Sequence, residues 1–150
     1  MSDSPDYAGG GEDAWGRSLG LEFLEVSETR VVAKLEAGPQ HHQPYGILHG
    51  GVYCSIVEGV ASYGAGQVSH AQGQGVVGVS NQTDFLRSHS SGRLDVVGEP
   101  IHVGRTQQVW EVRITRARDG KLVARGQVRF AALSQLPAER AAKGGSDPAA

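Results

Sequence analysis

Apolar and polar residues change their rhythm several times along this chain. Leu21 to Val26 and Thr29 to Glu36 read as two short strands, the second setting Val31, Ala33 and Leu35 imperfectly against Arg30, Val32, Lys34 and Glu36. Together they predict a hairpin. The stretch Gly38-Pro39-Gln40-His41-His42-Gln43-Pro44-Tyr45-Gly46 is rich in turn formers and too polar to bury as regular structure, so it reads as a loop. From about His49 to Gly66 alternation stops. Val52, Tyr53, Ile56, Val60 and Tyr63 fall on one side of a 3.6-residue helix and make its core face. Four more strands follow near 75–87, 93–104, 107–117 and 121–132, parted by Ser90-Ser91-Gly92, Gly104 to Thr106 and Asp119-Gly120. One long central helix followed by an antiparallel meander of four strands is an α+β arrangement whose sheet must wrap the helix to bury it.

Length fits one domain, expected over residues 13–136. Residues 1–12 hold Gly9-Gly10-Gly11 among acids, and 137–150 are Ala, Gly, Ser and Pro rich. Neither can bury enough apolar surface to order itself, so both are expected to be flexible. The net charge of −2, with basic residues scattered, gives no stripe for nucleic acid or lipid. No apolar run approaches the roughly 20 residues that span a bilayer. A lone Cys54 permits no intrachain disulfide, and the N-terminus lacks the basic-then-apolar order of a signal peptide, so a soluble cytoplasmic protein is expected.

The helix carries the chemistry. Gly51, Cys54, Ser55, Ala61, Ser62 and Ala65 lie within about 60° of Glu58, so every neighbour of this carboxylate is small. A solvated face would usually carry several charges, and this one has one. Small residues suggest instead that another surface packs there, and partial desolvation would make the carboxylate a more reactive base or nucleophile. At the helix start, Gly50 and Gly51 leave first-turn amides unscreened, where the helix dipole could polarise a carbonyl oxygen. The same glycines could merely permit close backbone packing, and spacing does not separate the two. Nine residues put Glu58 roughly 13 Å along the axis from His49 and on the opposite side. If both ends of the helix segment act on one carbonyl, Glu58 must meet the helix start of another subunit.

Other signals are weaker. His41, His42 and His49 match no zinc spacing, Cys54 reads as a small residue of an apolar helix, and Gly73-Gln74-Gly75 lacks the phosphate-loop pattern. No metal or cofactor is expected.

The run His42-Gln43-Pro44-Tyr45-Gly46-Ile47-Leu48-His49-Gly50-Gly51, followed by Glu58 and Ser62, resembles hotdog-fold thioesterases of the 4-hydroxybenzoyl-CoA thioesterase type, found in aryl-CoA degradation such as the phenylacetate pathway. The likeness continues through Val76-Val77-Gly78, Phe85-Leu86-Arg87, Pro100 to Arg105 and Trp110-Glu111-Val112, over about residues 15 to 133, and looks nearest to members serving enterobactin proofreading and menaquinone synthesis. The resemblance implies a homodimer, usually paired into a homotetramer, that hydrolyses an acyl- or aroyl-CoA thioester without a metal. It gives Glu58 the role of catalytic carboxylate and the Gly50 amide that of oxyanion donor. Gln43 and His49 would line the reacting thioester, and Ser62 would hold the carboxylate or its water. Phe85 would lie at the acyl pocket, and Arg87 and Arg105 along the CoA groove, where guanidinium forks suit phosphates.

Two departures stand out: Asp84 occupies a place where relatives commonly carry Asn, and Phe85 one where some carry His. An acid at 84 would add a second negative charge to the site if it faced Glu58. Two other functions compete. A hydratase or dehydratase on the same fold would need a histidine and a carboxylate to move protons at the acyl chain, and pairing Gln43 with Glu58 argues against it. A non-catalytic acyl-CoA-binding module would not need a carboxylate opposite the helix start.

Overall fold

The computed structural model describes residues 13–134 of the chain, and the two expected tails lie outside the described residues. The first element is a helix that the pattern did not predict, α1 (Ala14–Leu19). Asp13 caps it by accepting from the Gly16 N–H at 2.8 Å, and Gly20, with φ 76°, ends it. Both signals stand in the sequence, but six residues are too few to show a helical period or to nucleate alone.

The hairpin forms from β1 (Leu21–Val26) and β2 (Val31–Ala37). The second strand starts later than Thr29 because the Ser27 hydroxyl accepts from the Arg30 N–H at 3.0 Å and holds 27–30 as the turn. The polar loop then contains one 3-10 turn, Pro39–His41, and a buried histidine. His41 Nδ1 accepts from the Gly38 N–H at 3.1 Å and its Nε2 donates to the Leu19 carbonyl at 2.8 Å, which ties the loop to the end of α1.

The central helix α2 spans Gly50–Ala71, further than the expected end at Gly66. Gly64 and Gly66 weaken helix locally, but Gly64 lies under the Trp110 ring, and Val68 and Ser69 beyond them are buried, so packing carries the helix on. Tyr53, Ile56, Val60 and Tyr63 face the core as expected, joined by Val57, while Val52 is only partly buried. Ala61 and Ala65, expected on the small-residue face beside Glu58, are buried within this chain's own core, so the open face is narrower than the helical projection implied.

The strands β3 (Gly75–Phe85), β4 (Gly92–Val103), β5 (Gln107–Arg116) and β6 (Leu122–Leu133) complete a six-stranded antiparallel sheet ordered β1-β2-β4-β5-β6-β3. The meander of four expected from sequence is therefore a meander of three. β3 pairs with β6 at the far edge, and β4 pairs with β2. The reason lies in the rows: Leu94, Val96 and Gly98 of β4 meet Leu35, Ala33 and Val31 of β2 as an apolar match, whereas β3 brings Asn81 and Thr83 toward the helix and tolerates an edge better. The sheet curves round α2, burying Trp110, Phe130, Leu35, Leu94 and Ile114 against Ile56, Val57 and Val60. None of the described helices is long and apolar enough to cross a membrane.

Candidate active site

Glu58 sits half-buried on the middle of α2, facing β3. Its Oε2 accepts from Asn81 Nδ2 at 2.9 Å, and the same amide nitrogen donates to the Cys54 carbonyl at 3.1 Å. Asn81 Oδ1 in turn accepts from the Thr83 hydroxyl at 2.7 Å. The two bonds from Nδ2 to acceptor-only groups fix which way the Asn81 amide points, and so orient the carboxylate. Oε1 lies where a side chain at Gly78 would stand, so glycine is needed there to admit it. Glu58 has no ion-pair partner among the described residues.

A bulge makes this arrangement possible. Pairing of β3 with β6 slips between Gly78 and Ser80, leaving Val79 as the extra residue. Gly78 and Asn81 can then both face the helix although three residues apart, which strict strand alternation forbids. Asn81 was absent from the residues expected at the site, and only the bulge reveals it. By the same alternation Asp84 lies on the outer face, lining a cavity of about 130 Å³ with Gln82, Arg125 and Gln127. The second acid is thus kept away from Glu58 by the thickness of the sheet.

Glu58 opens on a cleft of about 640 Å³ with Cys54, Ser55, Gly59, Ser62 and Tyr63 from α2, Asn81 from β3, and Asp13, Trp15 and Gly16 from α1. Ser62, one turn beyond Glu58, is in this cleft. Gln43, Gly50 and Phe85 are not. They line a second cavity of about 330 Å³ with Leu48, Tyr53, Leu86 and Arg87 at the start of α2. The Phe85 ring lies over Gly50, where a Cβ would come within 2.5 Å of its edge, and tilts against Tyr53 with centroids 5.8 Å apart. Gly50 therefore does serve close packing, on its Cα side.

His49 caps α2, its Nδ1 accepting from the Gly51 N–H at 2.8 Å, while the Val52 N–H goes to the His49 carbonyl at 2.9 Å. Among the described residues no group accepts from the Gly50 N–H. The His49 ring is exposed, and with Nδ1 accepting it keeps Nε2 as its donor. Gln43 is held by its own turn, its Oε1 accepting from the Tyr45 N–H and its backbone N–H bonding the Ile47 carbonyl at 2.8 Å. Its Nε2 has no acceptor among the described residues, and Gln43 lines the cavity. Burial raises the Tyr53 phenol above its ordinary range, with the Arg116 charge opposing, and its hydroxyl has no partner among the described residues.

Arg87 and Arg105 do not meet in one chain. Arg87 follows β3, donating to the Leu122 carbonyl at 2.7 Å, and Arg105 lies in the turn before β5. Phe85 stands beside Ala124 and Gln107 beside Ala131, so the two arginines occupy opposite ends of the sheet, roughly 23 Å apart along the strands. Among the described residues no group of three or more His, Cys, Asp or Glu could hold a metal ion.

A six-stranded antiparallel sheet wrapped round one long helix is the hotdog fold. The thioesterase superfamily matches residues 45–123, and the chain belongs to that family; it is a thioester hydrolase. Among its relatives, the candidate esterase Rv1847 of Mycobacterium tuberculosis (strain ATCC 25618 / H37Rv) is 47% identical over 121 residues, covering 79% of this chain and 86% of the relative. The solved structure of that esterase superposes with a TM-score of 0.78 at 44% identity, over 82% of this chain and 98% of the other. The 1,4-dihydroxy-2-naphthoyl-CoA hydrolase of Listeria monocytogenes serotype 1/2a is 37% identical over 98 residues, 65% of this chain and 79% of that protein. The structure of thioesterase HI1161 from Haemophilus influenzae matches with a TM-score of 0.73 at 26% identity, over 84% and 87%.

Proposed function

We propose that this chain hydrolyses acyl- or aroyl-CoA thioesters, with Glu58 as nucleophile or general base and the Gly50 amide as oxyanion donor, in a site shared by two subunits. The observation that carries the reading is the Glu58 carboxylate: it is oriented by a neutral amide, has no ion-pair partner among the described residues, and opens on a mainly apolar cleft. A structural carboxylate so placed would be expected to have a cationic partner. As nucleophile it would attack the thioester carbon and expel the CoA thiol, leaving an anhydride for water to cleave. As base it would take a proton from the water that attacks. Either route yields free acid and CoA.

Support for sharing comes from the two cavities. Glu58 faces one, while Gln43, Gly50 and Phe85 line the other, so one chain presents two halves rather than one site. Edge strand β3 offers a way to join them. A two-fold axis at Gln82 would pair β3 antiparallel with its copy and, because the bulge skips Val79, set Gly78 opposite the copy's residue 85. Glu58 lies beside Gly78 and Gly50 beside Phe85, so each carboxylate would approach the other chain's helix start. The same axis brings the Arg105 end of one chain toward the Arg87 end of the other, where both could meet the phosphates of one CoA. Ser62 would hold the carboxylate or water, and Gln43 and His49 would offer Nε2 donors to the thioester.

The test is free-thiol release from a panel of acyl-CoAs by wild type and Glu58→Gln. The amide keeps the shape but can neither attack nor take a proton. Loss of one oxyanion donor typically costs about 10²- to 10³-fold, and Glu58→Gln is expected to cost more, with CoA-ester binding intact. A kcat within about tenfold of wild type, roughly 1.4 kcal/mol of barrier, would sink the mechanism.

A further inference from the structure

We propose that Trp15 is a specificity-determining residue of the Glu58 cleft: it forms the outer wall of the acyl subsite and favours ring-bearing acyl groups over short aliphatic ones. The inference rests on reading that cleft as the acyl-thioester site. Trp15 belongs to α1, an element with no other evident duty at the helix that carries the chemistry, yet α1 supplies Asp13, Trp15 and Gly16 to the same cleft as Glu58. Its side chain is 63% exposed, although burying an indole is among the larger apolar gains open to a folding chain. Trp110, the other tryptophan, is fully buried and hydrogen-bonded.

The setting gives an exposed indole something to pack on. Tyr63 lies deeper in the cleft, nearly buried, and its ring stacks on Phe23 with centroids 4.0 Å apart, which makes it a fixed wall. Much of the remaining lining is small, with Gly16, Gly59, Cys54 and Ser55, which leaves room in the cleft. Asp13, the other acid of the lining, is engaged in capping α1. Backbone anchors position the indole, since Asp13 starts α1, Gly20 ends it and His41 holds the Leu19 carbonyl. A flat apolar group reaching Glu58 would therefore pass between two aromatic surfaces and bury one that is otherwise wet. A two-carbon acyl group is too short to use either.

The experiment compares kcat/KM for benzoyl-CoA and acetyl-CoA in wild type, Trp15→Ala and Trp15→Phe. Trp15→Ala is expected to lower the benzoyl value by about 3- to 10-fold more than the acetyl value, the scale of one aromatic contact, and Trp15→Phe to recover most of it. Equal losses on both esters would overturn the assignment. A second arm needs no turnover. Benzoyl-CoA added to Glu58→Gln should shift or quench tryptophan emission, and the change should vanish in Glu58→Gln with Trp15→Phe, where only buried Trp110 still reports. A signal that persists undiminished there, or no signal in either protein, overturns the proposal. Should no thioester be hydrolysed while the emission change still requires Trp15, the hydrolytic reading fails and the wall stands. Should both esters be hydrolysed with a ratio that Trp15→Ala leaves unchanged, hydrolysis stands and the wall fails.

Discussion

Asn81 carries more of the site than its exposed position on an edge strand suggests. One amide group binds the Glu58 carboxylate, the Cys54 carbonyl and the Thr83 hydroxyl, and exchanging its two ends would turn Oδ1 against two acceptors and break the bonds to Glu58 and Cys54. A carboxylate that must attack or deprotonate needs its lone pair aimed, and misplacement by about 1 Å can cost on the order of 10²-fold. Asn81→Ala should therefore lower kcat by about 10- to 100-fold while KM moves little. Thr83→Val acts one bond further out and should cost less, in the same direction. Steady-state kinetics on both variants checks this, and an unaltered kcat in Asn81→Ala would remove the positioning role. Glu58 itself was legible in the sequence because it is the single charge on an otherwise small and apolar helix. Asn81 was not, because its inward aim depends on the bulge at Val79, and a one-residue slip reverses every later side chain of a strand.

At the scale of elements, α2 shows why its length escaped a reading from periodicity. Its glycines look like interruptions, yet two of them answer to different neighbours. A Cβ at Gly64 would run into the Trp110 ring, which is fully buried and donates to Gln108 Oε1 at 2.9 Å, while Gln108 donates onward to Ser69 at 2.9 Å and the Ala65 carbonyl at 3.2 Å. That ring has nowhere to go. A Cβ at Gly59 would meet only Leu21 at an ordinary 3.6 Å. Replacing glycine by alanine gains about 1 kcal/mol of helix propensity at either place. At Gly64 overpacking of about 1 to 3 kcal/mol outweighs it, so Gly64→Ala should lower the unfolding midpoint. Gly59→Ala should leave the midpoint unchanged or raise it. Thermal unfolding of the pair decides, and a more stable Gly64→Ala would contradict the packing account. The strands were readable to within two residues at their ends, as was the Asp119-Gly120 turn, because each rests on local chemistry. The place of β3 at the sheet edge was not, since local pattern does not say which strand a segment pairs with.

For the molecule as a whole, the edge is the informative feature. β3 is 11 residues long, leaves one side of its backbone unpaired among the described residues, and exposes Val79 and Phe85 at 55% and 54%. Proteins usually blunt such an edge with charge, Pro or brevity, and here Asp84 is the only charge along it. Pairing with a second copy would cover it and join the Glu58 cleft of one chain to the Gly50 cavity of the other. That arrangement carries a test that a site contained in one chain cannot pass. Glu58→Ala removes the carboxylate from both sites of a homodimer. Gly50→Arg would block both helix starts, because any side chain there meets the Phe85 ring. In a hybrid of one Glu58→Ala chain and one Gly50→Arg chain, a shared design leaves one site with both defects and one with neither. Mixed, refolded or co-expressed hybrids purified by two different tags should regain roughly half the wild-type activity per dimer, while each parent variant stays inactive. If Glu58 served the helix start of its own chain, every site in the hybrid would keep one defect, and verified hybrids would show no recovery.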